Sequence, residues 1–195
     1  MAKVFAEMSM SLDGFIAGPN VSVNNPLGDS GERLHDWMFA GKSSTETEAY
    51  EVEKFKPTGA GIMGRTMLDL GIGPWGENPT FHMSIFVLSH ETHKPITKQG
   101  GTTYYFVTDG IESALKQAEE AADGKDIMVL GGANTIQQFI RAGLLDELGI
   151  HLIPILLGSG TRLFDNLGAL KLEKTATKDT PAVTYLRYKI AEKLK

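Results

Sequence analysis

Residues 126–141 read D-I-M-V-L-G-G-A-N-T-I-Q-Q-F-I-R, and the spacing of their apolar positions changes midway. Ile127, Met128, Val129 and Leu130 are consecutive, which suits a strand buried on both faces of a sheet. Gly131 and Gly132 interrupt the run. Beyond them Ile136, Phe139 and Ile140 recur at i, i+3 and i+4, so an amphipathic helix is expected to begin near Asn134 or Thr135, with Asn134 placed to cap it. A strand that ends in two glycines and opens a helix leaves backbone N–H groups at the helix start, and glycine lets a phosphate come close to that backbone. The same pair would also serve simply to turn a buried strand into a helix. The segment is not a dinucleotide fingerprint, because G-G-A-N-T lacks the G-x-G-x-x-G spacing.

Working outward, a second strand–glycine–helix junction lies at 59–70. Residues 59–63 are a short buried strand, and Gly64-Arg65-Thr66 opens a helix through Met67, Leu68 and Leu70. A cation at a helix start is mildly unfavourable, so Arg65 there fits an anion partner as well as a plain surface position. Residues 84–89 and 102–107 are further strands, the first ending in Ser89-His90. Residues 111–122 are an amphipathic helix with Asp109 as the expected cap. Downstream, 144–157 reads as one long strand with Pro154 marking a bulge or an edge, and Gly158-Ser159-Gly160-Thr161 turns the chain. Segments 170–176 and 183–190 alternate and form a closing antiparallel pair.

Upstream, residues 3–10 are a first strand with Val4, Ala6, Met8 and Met10 on one face, followed by an Asp13-Gly14 turn. Residues 19–31 are a Gly/Pro/Asn/Ser-rich loop of the length that serves as a lid. A short helix is expected at 32–39 through Leu34, Trp37 and Met38, ended by Gly41, and a second at 45–56, capped by Ser43, Ser44 or Thr45 and stopped before Pro57. Its glutamates, Glu46, Glu48, Glu51 and Glu53, read as a solvated face.

The 195 residues are enough for one domain with a real core, and no apolar run reaches bilayer-spanning length. A net charge of −5 and a pI near 5.5, without a basic stripe, argue against a nucleic-acid binder and leave small molecules as the expected partners. Zero cysteines exclude disulfides, thiolate metal sites and a cysteine nucleophile. The five histidines show no metal-ligand spacing, so a metal hydrolase is a poor fit and no metal site is expected. The N-terminus lacks a signal-peptide pattern, giving a cytoplasmic expectation.

Strands alternating with helices, then consecutive strands, define an α/β three-layer sandwich with a central, mostly parallel mixed sheet and an antiparallel C-terminal edge. Ligands of such sheets sit beyond the carboxyl ends of the strands, where Gly64-Arg65, Ser89-His90 and Gly131-Gly132 all fall.

The chain resembles the dihydrofolate reductase superfamily, and more closely the reductase domain of riboflavin biosynthesis and its stand-alone relatives. The resemblance rests on M-S-L-D-G-F-I-A at 10–17, I-M-G-R-T at 62–66, V-L-S-H at 87–90, I-M-V-L-G-G-A-N-T at 127–135, G-L-L-D-E-L at 143–148 and P-I-L-L-G-S-G-T-R-L-F-D at 154–165. It implies an NADPH-dependent reductase. Gly64, Arg65 and Thr66 would grip cofactor phosphates, while Leu88, Ser89 and His90 would lie at the adenosine ribose and favour its 2′-phosphate. Leu130, Gly131, Gly132, Ala133, Asn134, Thr135 and Ile136 would hold the pyrophosphate on backbone amides, and Ala17 and Gly18 would approach the nicotinamide. Relatives are often homodimers, and the strand at 144–157 is a candidate for pairing or packing across a two-fold axis. The chain departs from riboflavin reductases in having Gly131 where they carry a glutamate, and Glu77-Asn78-Pro79 where they carry Asp-Asp-Pro. It also lacks the deaminase motifs.

Hydride transfer needs a proton for the neighbouring oxygen or nitrogen. Asp13 is the first candidate to supply it or to orient substrate, its alternative being a turn residue bonded to its own backbone. Asp36 is the second. Trp37 and Trp75 would wall a substrate ring or pack in the core, and His151 reads as a core or edge histidine. The expected function is reduction of a C=N or C=O bond in a small heterocyclic substrate of pterin or aminopyrimidine type, the alternative being an NADP(H)-binding or assembly protein of the same fold without turnover.

Overall fold

The computed structural model describes residues 2–38 and 58–193. In chain order these form β1 (Val4–Ser11), β2 (Phe15–Ala17), a 3-10 helix (Gly31–Met38), β3 (Thr58–Gly64), α1 (Arg65–Gly71), β4 (Ser84–Leu88), β5 (Ile96–Thr97), β6 (Thr103–Val107), α2 (Ile111–Ala122), β7 (Asp126–Gly131), α3 (Ala133–Ala142), β8 (Glu147–Ile153), β9 (Thr161–Arg162), β10 (Leu170–Asp179) and β11 (Thr184–Lys193). The helix expected at 45–56, with its glutamates, lies outside the described residues, as do Phe39 and Gly41. The fold is mixed α/β, with a mostly parallel central sheet and antiparallel edge strands. None of the described helices is long and apolar enough to cross a membrane.

The chain divides into two compact units, Met1–Ala6 with Pro57–Leu145, and Glu7–Lys56 with Asp146–Lys195. In the first the strand order is β1–β7–β3–β4–β6–β5, parallel except for β5 on β6. β7 is bonded on both sides, which is why its apolar run is continuous: Ile127, Val129 and Leu130 are all buried. In α3, Ile136, Phe139 and Ile140 are likewise buried. The helix stops where Gly143, at φ +72°, turns the backbone left-handed and the N–H groups of Gly143 and Leu144 return to the Ile140 and Phe139 carbonyls. Met63, Leu68, Ile85, Val87, Tyr104 and Leu130 form a core cluster. Trp75 packs against it, edge-on to Phe81 at 5.1 Å, with its ring over Gly71, where a Cβ would come within 2.2 Å of a ring atom. That position places Trp75 in the packing of this unit.

The second unit carries the antiparallel edge, in the order β10–β11–β8–β1. β8 is shorter than the strand expected at 144–157 and ends before Pro154, which has no N–H to continue a ladder. Because β8 has neighbours on both sides, it offers no free edge for strand pairing with a second copy. The edge is β10, exposed over nearly all its length, with Lys171, Glu173, Lys174, Lys178 and Asp179 along it and two register shifts against β11. Charges and bulges of this kind discourage further strand addition. β1 departs from the expected face as well. Val4, Ala6 and Met10 are buried as expected, but Met8 is half-buried and Ser9 and Ser11 are buried as well. In the 3-10 helix, Leu34 and Trp37 are three residues apart and so eclipse on one side; they pack with Ile153, Val183 and Tyr185.

Candidate functional site

The parallel strands of the first unit end at one rim. In the β3–β4 and β4–β6 ladders Gly64 pairs with Leu88 and Leu88 with Val107, and the Ser89 N–H donates to the Val107 carbonyl at 3.0 Å. A Cβ on Gly64 would lie 2.7 Å from Thr135 Oγ1 and 4.0 Å from the Gly132 nitrogen, so the β3 and β7 junctions touch. Arg65, Ser89 and Gly132 therefore share one rim, as the sequence implied.

Three helices of this unit start at that rim, and each starts at a glycine. The N-caps of α1, α2 and α3 are Gly64, Gly110 and Gly132, and none carries a side-chain cap bond. This corrects two expectations. Asn134 lies inside α3, where its Oδ1 accepts from Gln138 Nε2 at 2.6 Å, and Asp109 precedes the α2 cap. α3 begins before the position an Asn134 cap would dictate and α2 after the one an Asp109 cap would, and neither start has a side-chain cap bond.

Gly131 and Gly132 differ in kind. Gly131 sits at φ +126°, a conformation that glycine alone adopts readily, and the peptide joining the pair is cis. Gly132 has φ −72°, accessible to any residue, and a Cβ there would meet nothing within 4 Å. Local packing therefore leaves open space above the start of α3. Helix-start N–H groups beside such a space could hold an anion.

Arg65 projects beside this junction in a defined posture. Its Nε donates to Asp69 Oδ1 at 2.7 Å, its Nη1 lies 2.6 Å from His93 Nε2, and its guanidinium stands over the Phe106 ring at 5.5 Å. His93 in turn packs on Phe106, with centroids 4.8 Å apart, and faces Glu91 at 3.8 Å. Sequence reasoning missed His93 and Phe106. The one available signal was a second histidine in the polar loop after Ser89, since Phe106 reads as an ordinary strand residue.

The remaining predicted cofactor residues divide by what they can offer. Thr66 and His90 are exposed at the rim, and Leu88 is half-buried. The Ser89 hydroxyl is turned into its own loop, donating to the Glu91 carbonyl at 2.8 Å and accepting from the Glu91 N–H at 3.1 Å. Leu130, Ala133 and Ile136 have buried side chains, so only their backbone groups can serve a ligand. Thr135 is buried against Gly64.

In the second unit, Asp13 is fully occupied. Its carboxylate accepts from Ser11 Oγ at 2.6 Å, Leu157 N at 3.1 Å and Gly158 N at 2.7 Å, while Arg162 Nη1 donates to its carbonyl at 3.2 Å. The Ser11 hydroxyl is the largest cause holding its pKa near 2; partial desolvation opposes it, and the Gly158 and Leu157 amides reinforce it. A carboxylate so held ties the turn after β1 to the 157–158 corner and carries no proton near neutral pH. Ala17 pairs with Thr161 in a two-stranded ribbon, and Gly18 is required by packing, because a Cβ would lie 2.0 Å from the Asp29 carbonyl oxygen. Asp36 is exposed on the 3-10 helix.

Trp37 donates to the Leu34 carbonyl at 3.0 Å and meets His151 and Tyr185 edge-on at 5.1 and 5.6 Å. His151 is buried, as read from the sequence. Beside it lies an ion pair the sequence did not reveal, Arg187 Nη2 to Glu7 Oε1 at 2.9 Å, with His151 Nε2 3.9 Å from Glu7 Oε2.

A mostly parallel sheet with glycine-capped helices and Arg65 at the strand ends is a mixed α/β architecture that gathers helix-start N–H groups and a guanidinium on one rim. The family model of the RibD C-terminal domain matches residues 2–186, and the chain belongs to that family. The Bacillus subtilis (strain 168) protein YyaP, itself uncharacterized, is 26% identical over 166 residues, 83% of this chain and 80% of its own length. A solved structure from Shewanella sp. PV-4, named for riboflavin biosynthesis, superposes with a TM-score of 0.73 at 25% identity, covering 98% of this chain and all of that one (100%). The Enterococcus faecalis dihydrofolate reductase, solved with NADP(H), shares the fold at a TM-score of 0.59 and 14% identity, over 97% of each chain.

Proposed function

We propose that the protein is an NADPH-dependent reductase acting on a C=N or C=O bond of a small heterocyclic compound, of pterin or aminopyrimidine type. The observation that carries this reading is the rim of the first unit. There the Gly132 backbone faces open space at a helix start, Gly64 gives close access to the same junction, and Arg65 stands beside both. The α3 amides from Gly132 onward would hold the pyrophosphate, and Arg65 the ribose phosphate. NADPH, when bound, supplies the hydride. Family membership and the NADP(H)-bound reductase of the same fold support the assignment.

The protein's own contribution to chemistry would be orientation and a proton. Asp13, held as a carboxylate by its three hydrogen bonds, would orient substrate or a water that brings the proton, and Asp36 is the second candidate. NADPH fluorescence titration tests the binding half, and no saturation at tens of micromolar would overturn it. Turnover is tested by NADPH oxidation against pterins, aminouracils and quinones, with Asp36→Asn expected to lower the rate while sparing binding. The engagement of Asp13 also favours a second reading, a nucleotide-binding protein without turnover. Tight NADPH binding with no oxidation across the panel would select it.

A further inference from the structure

The dipeptide Asp-Gly occurs three times, at 13–14, 109–110 and 123–124, and the fold treats the three differently. Such a pair carries a latent reaction, because glycine has no side chain to keep its own backbone nitrogen away from the preceding carboxyl group. The reaction runs where the nitrogen and the carboxyl carbon can reach near-attack geometry.

At Asp13-Gly14 both reactants are committed. The Gly14 N–H donates to the Ser11 carbonyl at 2.9 Å, and the Asp13 carboxylate accepts from Ser11 Oγ at 2.6 Å, Leu157 N at 3.1 Å and Gly158 N at 2.7 Å. The Gly14 carbonyl accepts from the Leu163 N–H at 3.3 Å, so the turn is held on both sides of the peptide. Asp123-Gly124 lies inside a turn that the Lys125 N–H closes on the Ala122 carbonyl at 3.0 Å, with both residues in left-handed backbone at φ +50° and +78°. Asp109 and Gly110 are exposed, and among the described residues no hydrogen bond or ion pair holds the Asp109 carboxylate or the Gly110 N–H. Anchoring begins only at the Gly110 carbonyl, which accepts from the Ala114 N–H at 3.1 Å.

We infer that Asp109 is a site of spontaneous backbone isomerisation, and that the fold protects the same dipeptide at Asp13. The Gly110 nitrogen attacks Asp109 Cγ: an N–Cγ bond forms, the Cγ–OH bond breaks, and the hydroxyl leaves with the amide hydrogen as water. Water then opens the five-membered imide. Cleavage at the side-chain carbonyl restores aspartate, and cleavage at the main-chain carbonyl routes the chain through Cγ as isoaspartate. The sum is mass-neutral and needs no other reactant. The product carries one more main-chain carbon just ahead of the start of α2. At Asp13 the acid form, from which the hydroxyl leaves, is also scarce, because the Ser11 hydroxyl and then the Gly158 and Leu157 amides hold the carboxyl near 2.

The full chain, kept at physiological temperature and neutral pH and sampled over weeks, is digested, and electron-transfer fragmentation separates isoaspartate from aspartate at each pair. Isoaspartate is expected at Asp109 first, then at Asp123, and at Asp13 at least about tenfold more slowly than at Asp109, since hydrogen bonds must first break there. In urea the three rates should converge. Ser11→Ala should raise the rate at Asp13 by roughly threefold or more in the folded protein, and the urea arm decides the matter if that variant does not fold. Isomerisation at Asp13 as fast as at Asp109 in the folded chain, or an Asp109 rate that urea raises as much as it raises the Asp13 rate, would overturn the inference. The reductase reading stands or falls separately, on nucleotide binding.

Discussion

The two units treat their polar groups in opposite ways. At the rim of the first, three helices begin on glycines that offer no side-chain acceptor, and Gly132 faces space that packing leaves empty. In the second, Asp13, Trp37 and Glu7 have partners at ordinary bonding distance. The contrast teaches that a residue type with catalytic potential is informative only when its atoms are not already committed. Asp13 had the right chemistry and sits in a family motif, yet its carboxylate is spent on two backbone amides and a hydroxyl. Gly132 has no side-chain chemistry at all, and the space beside it is left open by the packing.

If the second unit's polar groups serve the fold, removing one should cost stability. Glu7→Ala gives the largest effect expected here. It strips Arg187 of its carboxylate in a site where the Glu7 side chain is 9% exposed and the arginine 20%. Breaking a pair so buried costs about 3 kcal/mol, read as a shift in the urea midpoint. Replacing both partners, as Glu7→Leu with Arg187→Met, should recover much of the loss, since no charge is then stranded. A Glu7→Ala protein as stable as the wild type would break the comparison at its firmest point.

Gly132→Ala tests the other side. The added methyl meets no protein atom, so unfolding should be unchanged, while NADPH should bind at least about tenfold more weakly, a loss of about 1.4 kcal/mol. Gly64→Ala is the control. There the methyl strikes Thr135 Oγ1, so stability and binding should fall together. If both variants behave alike, the open space at Gly132 means nothing.

Asp13→Asn should have a smaller effect, visible mainly in its pH dependence. The native carboxyl lies near 2 against an ordinary 3.8, so its contribution is fully present above about pH 4 and is lost as pH falls toward 2. The melting temperature of the variant should trail the wild type by a constant amount near neutrality and converge with it in acid. A gap that persists unchanged below pH 3 would show that the carboxylate's hydrogen bonds are not what holds the 157–158 corner.

How much of this could be read beforehand follows from the range of the interactions. The β7–α3 junction was legible because the change of apolar period is local, and its repetition at β3–α1 placed the rim. The Arg187–Glu7 pair and the Gly158–Asp13 bond join residues 180 and 145 positions apart, and no spacing rule reaches that far. The caps failed for a subtler reason. Asn134 and Asp109 are good capping residues, but α3 and α2 are capped by Gly132 and Gly110 instead, and glycine is itself an acceptable cap, so residue ranking at the helix start does not separate the candidates.

Tyr104 sharpens the comparison from inside the first unit. Its ring is fully buried in the core cluster, and its hydroxyl has no hydrogen-bond partner among the described residues; burial pushes the phenol up to about 12. This is an uncommitted polar atom like those at the rim, but in a place where neither solvent nor a nucleotide phosphate is expected to reach it. Such a group costs its desolvation without return, so Tyr104→Phe should stabilise the protein by up to about 1 kcal/mol and leave NADPH affinity unchanged. Loss of stability would mean that the hydroxyl has a partner in solution, such as an internal water. Loss of affinity would mean that the openness of this unit extends beneath the rim, and that the core under β4 and β6 is part of the site.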